Sequence, residues 1–232
     1  MNDKNSDLNI DTKLASMIDH TLLKPDVTQA DLTKVCDEAK KYHFATVCVT
    51  SSNISFVAPL LKDSAVKPIS VVGFPLGIDS SQAKALETKE AIEAGAQEID
   101  MVINLEALKS KDYKTVYKDI KTVVKASKPY LVKVIIETSN INNEEKIAAC
   151  VLAKAAGAAF VKTSTGFGLG GATVEDVLLM RKVVGKDMLI KASGGIRTKE
   201  DAQKMIAAGA DRIGASASVA IVTGETSASI SY

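Results

Sequence analysis

The sequence predicts a closed parallel (β/α)8 barrel of the TIM type, and three observations carry that prediction. First, apolar runs of strand type alternate with amphipathic helical patterns eight times within 232 residues. Second, a weak internal repeat recurs: Glu93-Ala94-Gly95-Ala96-Gln97-Glu98-Ile99-Asp100, Ala155-Ala156-Gly157-Ala158-Ala159-Phe160-Val161-Lys162 and Ala207-Ala208-Gly209-Ala210-Asp211-Arg212-Ile213-Gly214 follow one plan. In each, a helix ends at a glycine suited to a left-handed C-terminal position, and a strand follows at fixed distance. Third, no Gly-x-Gly-x-x-Gly follows the first strand, which weighs against an open doubly wound sheet, the alternative architecture.

Each element has its own signal. Residues 11–16 read as a short capping helix that leads into a first strand over 17–21. Later strands are expected at 46–50, 69–73, 98–103, 131–136, 159–162, 188–192 and 212–215. Helical patterns begin near Thr28, Asn53, Ser80, Lys111, Asn142, Thr173, Thr198 and Ser216. Several open on a Ser, Thr or Asn suited to an N-cap, and Asn142 to Glu145 reads as a capping box. The expectation is one barrel domain over 1–232, with about 1–10 disordered and a flexible tail over 224–232.

Composition narrows the function. With 46% hydrophobic residues, a chain of this length can bury roughly 70–75% of its unfolded surface. Lys+Arg 29 against Asp+Glu 28 leaves no basic excess of the kind that nucleic-acid or membrane-surface binding needs, so the expected partner is a small molecule. Cys36, Cys48 and Cys150 show neither paired nor metal-type spacing, so no disulfide framework, metal or cofactor is expected. Residues 1–9 lack a secretory apolar core, and no apolar run approaches the ~18 residues of a membrane span. The sequence thus reads as that of a cytoplasmic protein. Barrels of this size often form homo-oligomers, although no stretch marks an interface.

Four charged residues interrupt apolar strands: Asp100, Lys133, Lys162 and Lys191. Charges in strands covered on both faces are costly unless paired or solvated. For any one of them a register-fixing ion pair is an adequate account. Together they suggest chemistry, because lysines on strands five, six and seven are neighbours, and repulsion with partial burial lowers an amine's pKa. Bringing a lysine from ~10.4 to about 7 takes roughly 4 kcal/mol, which is the requirement for a Schiff-base nucleophile. The residue pattern leaves open which lysine that is. Asp100, Lys162 and Gly214 each lie five residues past a repeat glycine, so they are expected at one height on alternate strands, with Gly214 leaving room. Cys48, five residues after His43, enters the same layer by that spacing, although a small buried hydrophobe explains it too. Lys133 lies earlier in its strand and reads as structural, with Asp100 or Glu137 as partner. His20 and His43 show no partner in sequence, and His43 reads as a helix end.

Glycines form a second constellation. Gly166 and Gly168 follow strand six, Gly194-Gly195 follow strand seven, and Gly214-Ala215-Ser216 follow strand eight. Turns need glycine anyway. Loops after the seventh and eighth strands of such barrels nonetheless commonly bind phosphate, and a phosphate site is expected here.

These residues resemble the deoxyribose-phosphate aldolases, class I aldolases of (β/α)8 fold. The resemblance runs through Ile18-Asp19-His20-Thr21-Leu22-Leu23, Val47-Cys48-Val49, Val72-Gly73-Phe74-Pro75-Leu76-Gly77, Glu98-Ile99-Asp100-Met101-Val102 and Lys133-Val134-Ile135-Ile136-Glu137-Thr138. It continues through Phe160-Val161-Lys162-Thr163-Ser164-Thr165-Gly166 and Lys191-Ala192-Ser193-Gly194-Gly195-Ile196-Arg197-Thr198. It implies reversible, metal-free cleavage of 2-deoxy-D-ribose 5-phosphate to D-glyceraldehyde 3-phosphate and acetaldehyde, a step of deoxyribonucleoside catabolism. It also implies that Lys162 forms the Schiff base, that Asp100 and Lys191 move protons, and that Thr165, Gly166, Gly194, Gly195 and Ser216 hold phosphate. Two departures stand out. Phe167 replaces a lysine that some members carry, so Arg197 or helix N-termini must balance the phosphate. Some members end in a tyrosine thought to assist proton transfer, which makes Tyr232 a candidate. The rival readings are another phosphosugar Schiff-base barrel enzyme, such as a transaldolase-like one, and a non-catalytic sugar-phosphate sensor.

Overall fold

The computed structural model describes residues 10–224; residues 1–9 and 225–232, Tyr232 among them, lie outside the described residues. The strands are β1 (Ile18–Thr21), β2 (Thr46–Val49), β3 (Lys67–Val72), β4 (Glu98–Val102), β5 (Leu131–Ile135), β6 (Phe160–Lys162), β7 (Leu189–Ser193) and β8 (Arg212–Ala215). All pair in parallel and in sequence order, and β8 returns to β1, so the barrel expected from the sequence is closed. Closure leaves the sheet without an exposed edge.

Helix α1 (Thr12–Ala15) precedes β1, with the Asp11 side chain accepting from the Leu14 N–H. Around the barrel stand α2 (Gln29–Tyr42), α3 (Ile54–Leu61), α4 (Ser81–Glu93), α5 (Leu105–Lys109), α6 (Tyr113–Ala126), α7 (Asn143–Ala156), α8 (Val174–Val184), α9 (Lys199–Ala207) and α10 (Ser218–Thr223). The Asn142–Glu145 capping box forms as expected, and His43 ends α2 in the left-handed region at φ 57. Two expectations need correction. The one-turn helix α5 has no periodic signature of its own, so the helical start expected near Lys111 moves to Tyr113, with Asp112 as cap. The last helix starts at Ser218 rather than Ser216.

Strand alternation sorts the side chains into two sets. Ile18, Val47, Val49, Ile99, Met101, Val132, Val134, Val161, Ile190, Ala192, Ile213 and Ala215 join the main apolar core, where they pack with buried helix residues. Each fully buried aliphatic side chain contributes about 1.5–3 kcal/mol. The intervening residues form the other set, inside the barrel, and most are polar: Asp19, Thr46, Glu98, Asp100, Lys133, Lys162, Lys191 and Arg212. The apolar layer beneath the helices holds the barrel together, and the barrel in turn encloses a set of charges.

Candidate active site

Asp100 is the hub of the interior. Its Oδ2 accepts from Lys162 Nζ at 2.9 Å and from Lys191 Nζ at 2.7 Å, while its Oδ1 accepts from Lys133 Nζ at 3.0 Å. The strand register produces this convergence: Asp100 pairs with Lys133, Ile135 with Lys162, and Lys162 with Lys191. Deeper in the barrel, Lys133 also reaches Glu98 at 2.5 Å, and Lys191 reaches Asp19 at 2.6 Å. Asp19 further accepts from Arg212 and from the Thr46 hydroxyl, both at 2.7 Å. Gly214 has no positive φ, but a Cβ built on it would lie 2.8 Å from Lys191 Cε, so its missing side chain is the space that the lysine stem occupies.

The cluster is unbalanced. Three carboxylates (Asp19, Glu98, Asp100) face four cationic groups (Lys133, Lys162, Lys191, Arg212). Lys67 adds to the excess from the half-exposed rim, 3.6 Å from Glu98. Of the interior amines Lys162 is the one left short, because its carboxylate contact within 4 Å is an oxygen that it shares with Lys191.

Protonation follows from this geometry. Burial lowers the Lys162 amine, Asp100 opposes that, Lys191 adds repulsion, and the balance lies below the ordinary lysine value. Burial would also lower Lys191, but Asp100 and Asp19 outweigh it and raise its pKa. Lys133 is raised in the same way by Asp100, Asp19 and Glu98. Burial would raise Asp100, yet Lys133, Lys162 and Lys191 hold it well below the usual carboxylate range. The result is an amine biased toward its neutral form and hydrogen-bonded to an ionised carboxylate, with a charged ammonium beside it. The repulsion anticipated from the sequence is present, although burial is the larger cause.

Other candidates fall at defined places. Cys48 is fully buried against Leu23, Ile69 and Val71, and burial raises its thiol. Lys133 bonds Asp100 and Glu98, not Glu137, whose carboxylate turns away from the barrel axis toward Thr165. The backbone explains that turn, since Glu137 stands past the strand end at φ 50. The sequence reading gave no role to Asp19, Glu98 or Arg212, and it offered Glu137 only as a partner for Lys133, which the structure does not bear out. For Glu98 the signal was available: it lies two residues before Asp100 and therefore on the same strand face.

The loops after β6 and β7 meet at the barrel mouth. Gly166, Gly194 and Gly195 have φ of 88, 83 and 76, values that L side chains rarely adopt, and a Cβ on Gly194 would lie 3.7 Å from Gly166 Cα. Among the described residues no acceptor takes the N–H groups of these three glycines, and consecutive left-handed N–H groups form an anion-binding concavity. Both donors of Thr165, in contrast, bond Glu137. Ser216 lines a cavity of about 300 Å³ beside β1 and α2, together with His20, Lys24 and Lys34. His20 has partners there, Ser218 at 2.9 Å and Glu38 at 2.8 Å, that link α2 to α10. Arg197 is exposed, and its side chain makes no ion pair among the described residues. No cluster of metal-ligating side chains exists among the described residues, and no helix there is long and apolar enough to cross a membrane.

Comparison with known proteins agrees with this architecture. A deoxyribose-phosphate aldolase from Clostridium perfringens is 58% identical over 216 residues, covering 93% of this chain and 96% of that protein. One from Halalkalibacterium halodurans is 59% identical, with 92% and 96% covered. Among solved structures, the tetrameric deoxyribose phosphate aldolase from Aeropyrum pernix superposes with a TM-score of 0.86 at 36% identity, covering 92% of this chain and 90% of that one. Orotidine 5'-phosphate decarboxylase from Pyrococcus horikoshii, at 16% identity and a TM-score of 0.63, shares the fold alone. The model of the DeoC/LacD family aldolases matches residues 13–225, and the chain belongs to that family.

Proposed function

We propose that this protein cleaves 2-deoxy-D-ribose 5-phosphate reversibly to D-glyceraldehyde 3-phosphate and acetaldehyde through an imine on Lys162. One observation carries the assignment of the nucleophile. In a cluster with more cations than carboxylates, Lys162 contacts, of the carboxylates among the described residues, only an Asp100 oxygen that it shares with Lys191, whereas Lys133 and Lys191 each reach a second carboxylate. Its pKa is accordingly lowered while theirs are raised.

The chemistry follows from that arrangement. The neutral Lys162 amine adds to the sugar aldehyde at C1, and loss of water gives a protonated imine. Asp100, acting directly or through water, accepts the proton of the C3 hydroxyl as the C2–C3 bond breaks. The electron pair of that bond moves onto the imine, giving an enamine, and C3 leaves as the aldehyde of glyceraldehyde 3-phosphate. Protonation of the enamine at C2 and hydrolysis then release acetaldehyde and restore the amine. Lys191 stays charged, holds Asp100 ionised and contributes repulsion toward Lys162. The free N–H groups of Gly166, Gly194 and Gly195 support phosphate binding there, with Ser216 on the neighbouring loop, while Thr165 anchors its loop. Backbone N–H groups thus replace the side-chain cation that Phe167 cannot supply. A cytoplasmic location and a homo-oligomeric state complete the reading; the Aeropyrum pernix relative is a tetramer.

Incubation with acetaldehyde, reduction with borohydride and peptide mapping test the assignment. The adduct is expected on Lys162. An adduct on Lys133 or Lys191 instead, or none at all, overturns it.

A further inference from the structure

Glu137 is a buried carboxylate that the proposed chemistry does not use, 3% exposed and left-handed at φ 50. For a residue with a Cβ that conformation costs about 1–2 kcal/mol, so the surroundings must hold it. Its Oε2 accepts from the Thr165 N–H at 3.2 Å and from the Thr165 hydroxyl at 2.5 Å. The Thr165 Oγ1 in turn accepts the Phe167 N–H at 3.0 Å. A Cβ built on Gly168 would lie 3.2 Å from the Glu137 carboxyl carbon, so the loop after β6 wraps closely over this carboxylate. The next residue adds to the grip: the Thr138 N–H donates to Thr163 O at 2.9 Å. Gly166 therefore lies between Thr165, which bonds the carboxylate directly, and Phe167, which is tied to it through the Thr165 hydroxyl.

That carboxylate is badly placed for any purpose but holding the loop. Its Oε1 is buried without a partner among the described residues, and the carboxyl group lies against the loop that presents the Gly166 N–H. An acid near an anion site weakens anion binding through space unless it gains more by orienting the donors. Gly194 and Gly195 are fixed independently, because the Ala172 N–H reaches both Ser193 O (3.1 Å) and Gly194 O (3.0 Å). Gly166 is held in place from the Glu137 side.

Resting on the functional reading above, we propose that Glu137 is a positioning residue for substrate phosphate: it sets the loop after β6 so that the Gly166 N–H converges with those of Gly194 and Gly195 on one phosphate group. It touches neither the imine carbon nor the proton path. Its removal should therefore cost binding of the phosphorylated substrate and spare the chemistry.

The experiment compares Glu137→Ala and Glu137→Gln with the unaltered protein on 2-deoxyribose 5-phosphate, on unphosphorylated 2-deoxyribose, and in borohydride trapping with acetaldehyde. Glu137→Ala should raise KM for the phosphorylated sugar about tenfold, the size of one charge-assisted hydrogen bond. Its kcat, its turnover of 2-deoxyribose and its acetaldehyde trapping should stay within about twofold. Inhibition by inorganic phosphate should weaken in parallel. Glu137→Gln, which keeps one acceptor for Thr165, should recover part of the loss, and it serves as the test if the alanine variant does not fold. Equal losses on both sugars, or an unchanged KM for the phosphorylated one, would overturn the proposal. Failure of the underlying reading looks different: the unaltered protein would then trap no acetaldehyde or show no preference for the phosphorylated sugar.

Discussion

Among the described residues, lysines are completely buried in two places, and these are built in opposite ways. Between α4 and α6, Lys84 meets Asp119 at 2.6 Å and donates to Val102 O at 2.9 Å. Gly73, whose Cβ would fall 2.8 Å from Lys84 Cε, makes room for the stem. One cation there faces one carboxylate. Inside the barrel, Lys133, Lys162, Lys191 and Arg212 share Asp19, Glu98 and Asp100, and one amine is left without a carboxylate of its own. Burial alone does not make a lysine reactive. An amine becomes a nucleophile where burial is combined with too few counter-charges.

Substitutions can break that contrast. The largest effect is expected from Lys162→Met, which should remove turnover and the borohydride-trapped adduct together. Its thermal stability should be retained, because Asp100 keeps Lys133 and Lys191 as partners. A clear drop in Tm would mean that Lys162 is a structural counter-ion like Lys84. Asp100→Asn should follow, with kcat lower by roughly 10²–10⁴-fold, the usual range for a lost proton-transfer group. Acetaldehyde trapping should persist in that variant, and near-normal turnover would remove Asp100 from the proton path.

Lys84→Met inverts the outcome. It leaves the Asp119 carboxylate buried and unpaired, which should cost about 3–5 kcal/mol in denaturant unfolding while turnover per folded molecule is unchanged. Lys191→Met acts more gently, on the pH profile. Removing that ammonium takes repulsion from Lys162 and leaves it a fuller share of Asp100, so its pKa rises. Since the neutral amine attacks, the rising limb of activity should move to higher pH, and an unmoved limb would exclude Lys191 as a cause. The smallest effect is expected from Lys84→Met combined with Asp119→Leu, which exchanges the outer pair for apolar packing and should restore most of the stability lost by the single variant.

The sequence made much of the barrel interior legible, and the reason is periodicity. The glycines at 95, 157 and 209 mark helix ends, so equal spacing from them puts Asp100, Lys162 and Gly214 at equal heights. Lys191 was legible because a single charge in an apolar strand stands out. Asp19 and Arg212 escaped notice because short strands with polar neighbours give little contrast, and the one-turn α5 falls below the length at which helical periodicity can be recognised. The loops proposed to hold phosphate were readable as glycines, but the commitment of Thr165 was not. It depends on Glu137 taking a left-handed conformation, which no pattern in Glu137-Thr138-Ser139-Asn140 announces.

The barrel floor has a consequence for the order of events. Below Lys162 the interior is closed by Phe160, Glu98, Lys133 and Asp19, all at most 2% exposed, with the Arg212 guanidinium over the Phe160 ring. Among the described residues, the interior is thus closed on that side, and access to Lys162 runs from the end where the glycine loops lie. On the assignment proposed above, the fragment bearing phosphate occupies the doorway, and the two-carbon enamine sits behind it on Lys162. Glyceraldehyde 3-phosphate must depart before acetaldehyde can, and in the synthetic direction acetaldehyde must enter first, which makes the kinetics those of a queue.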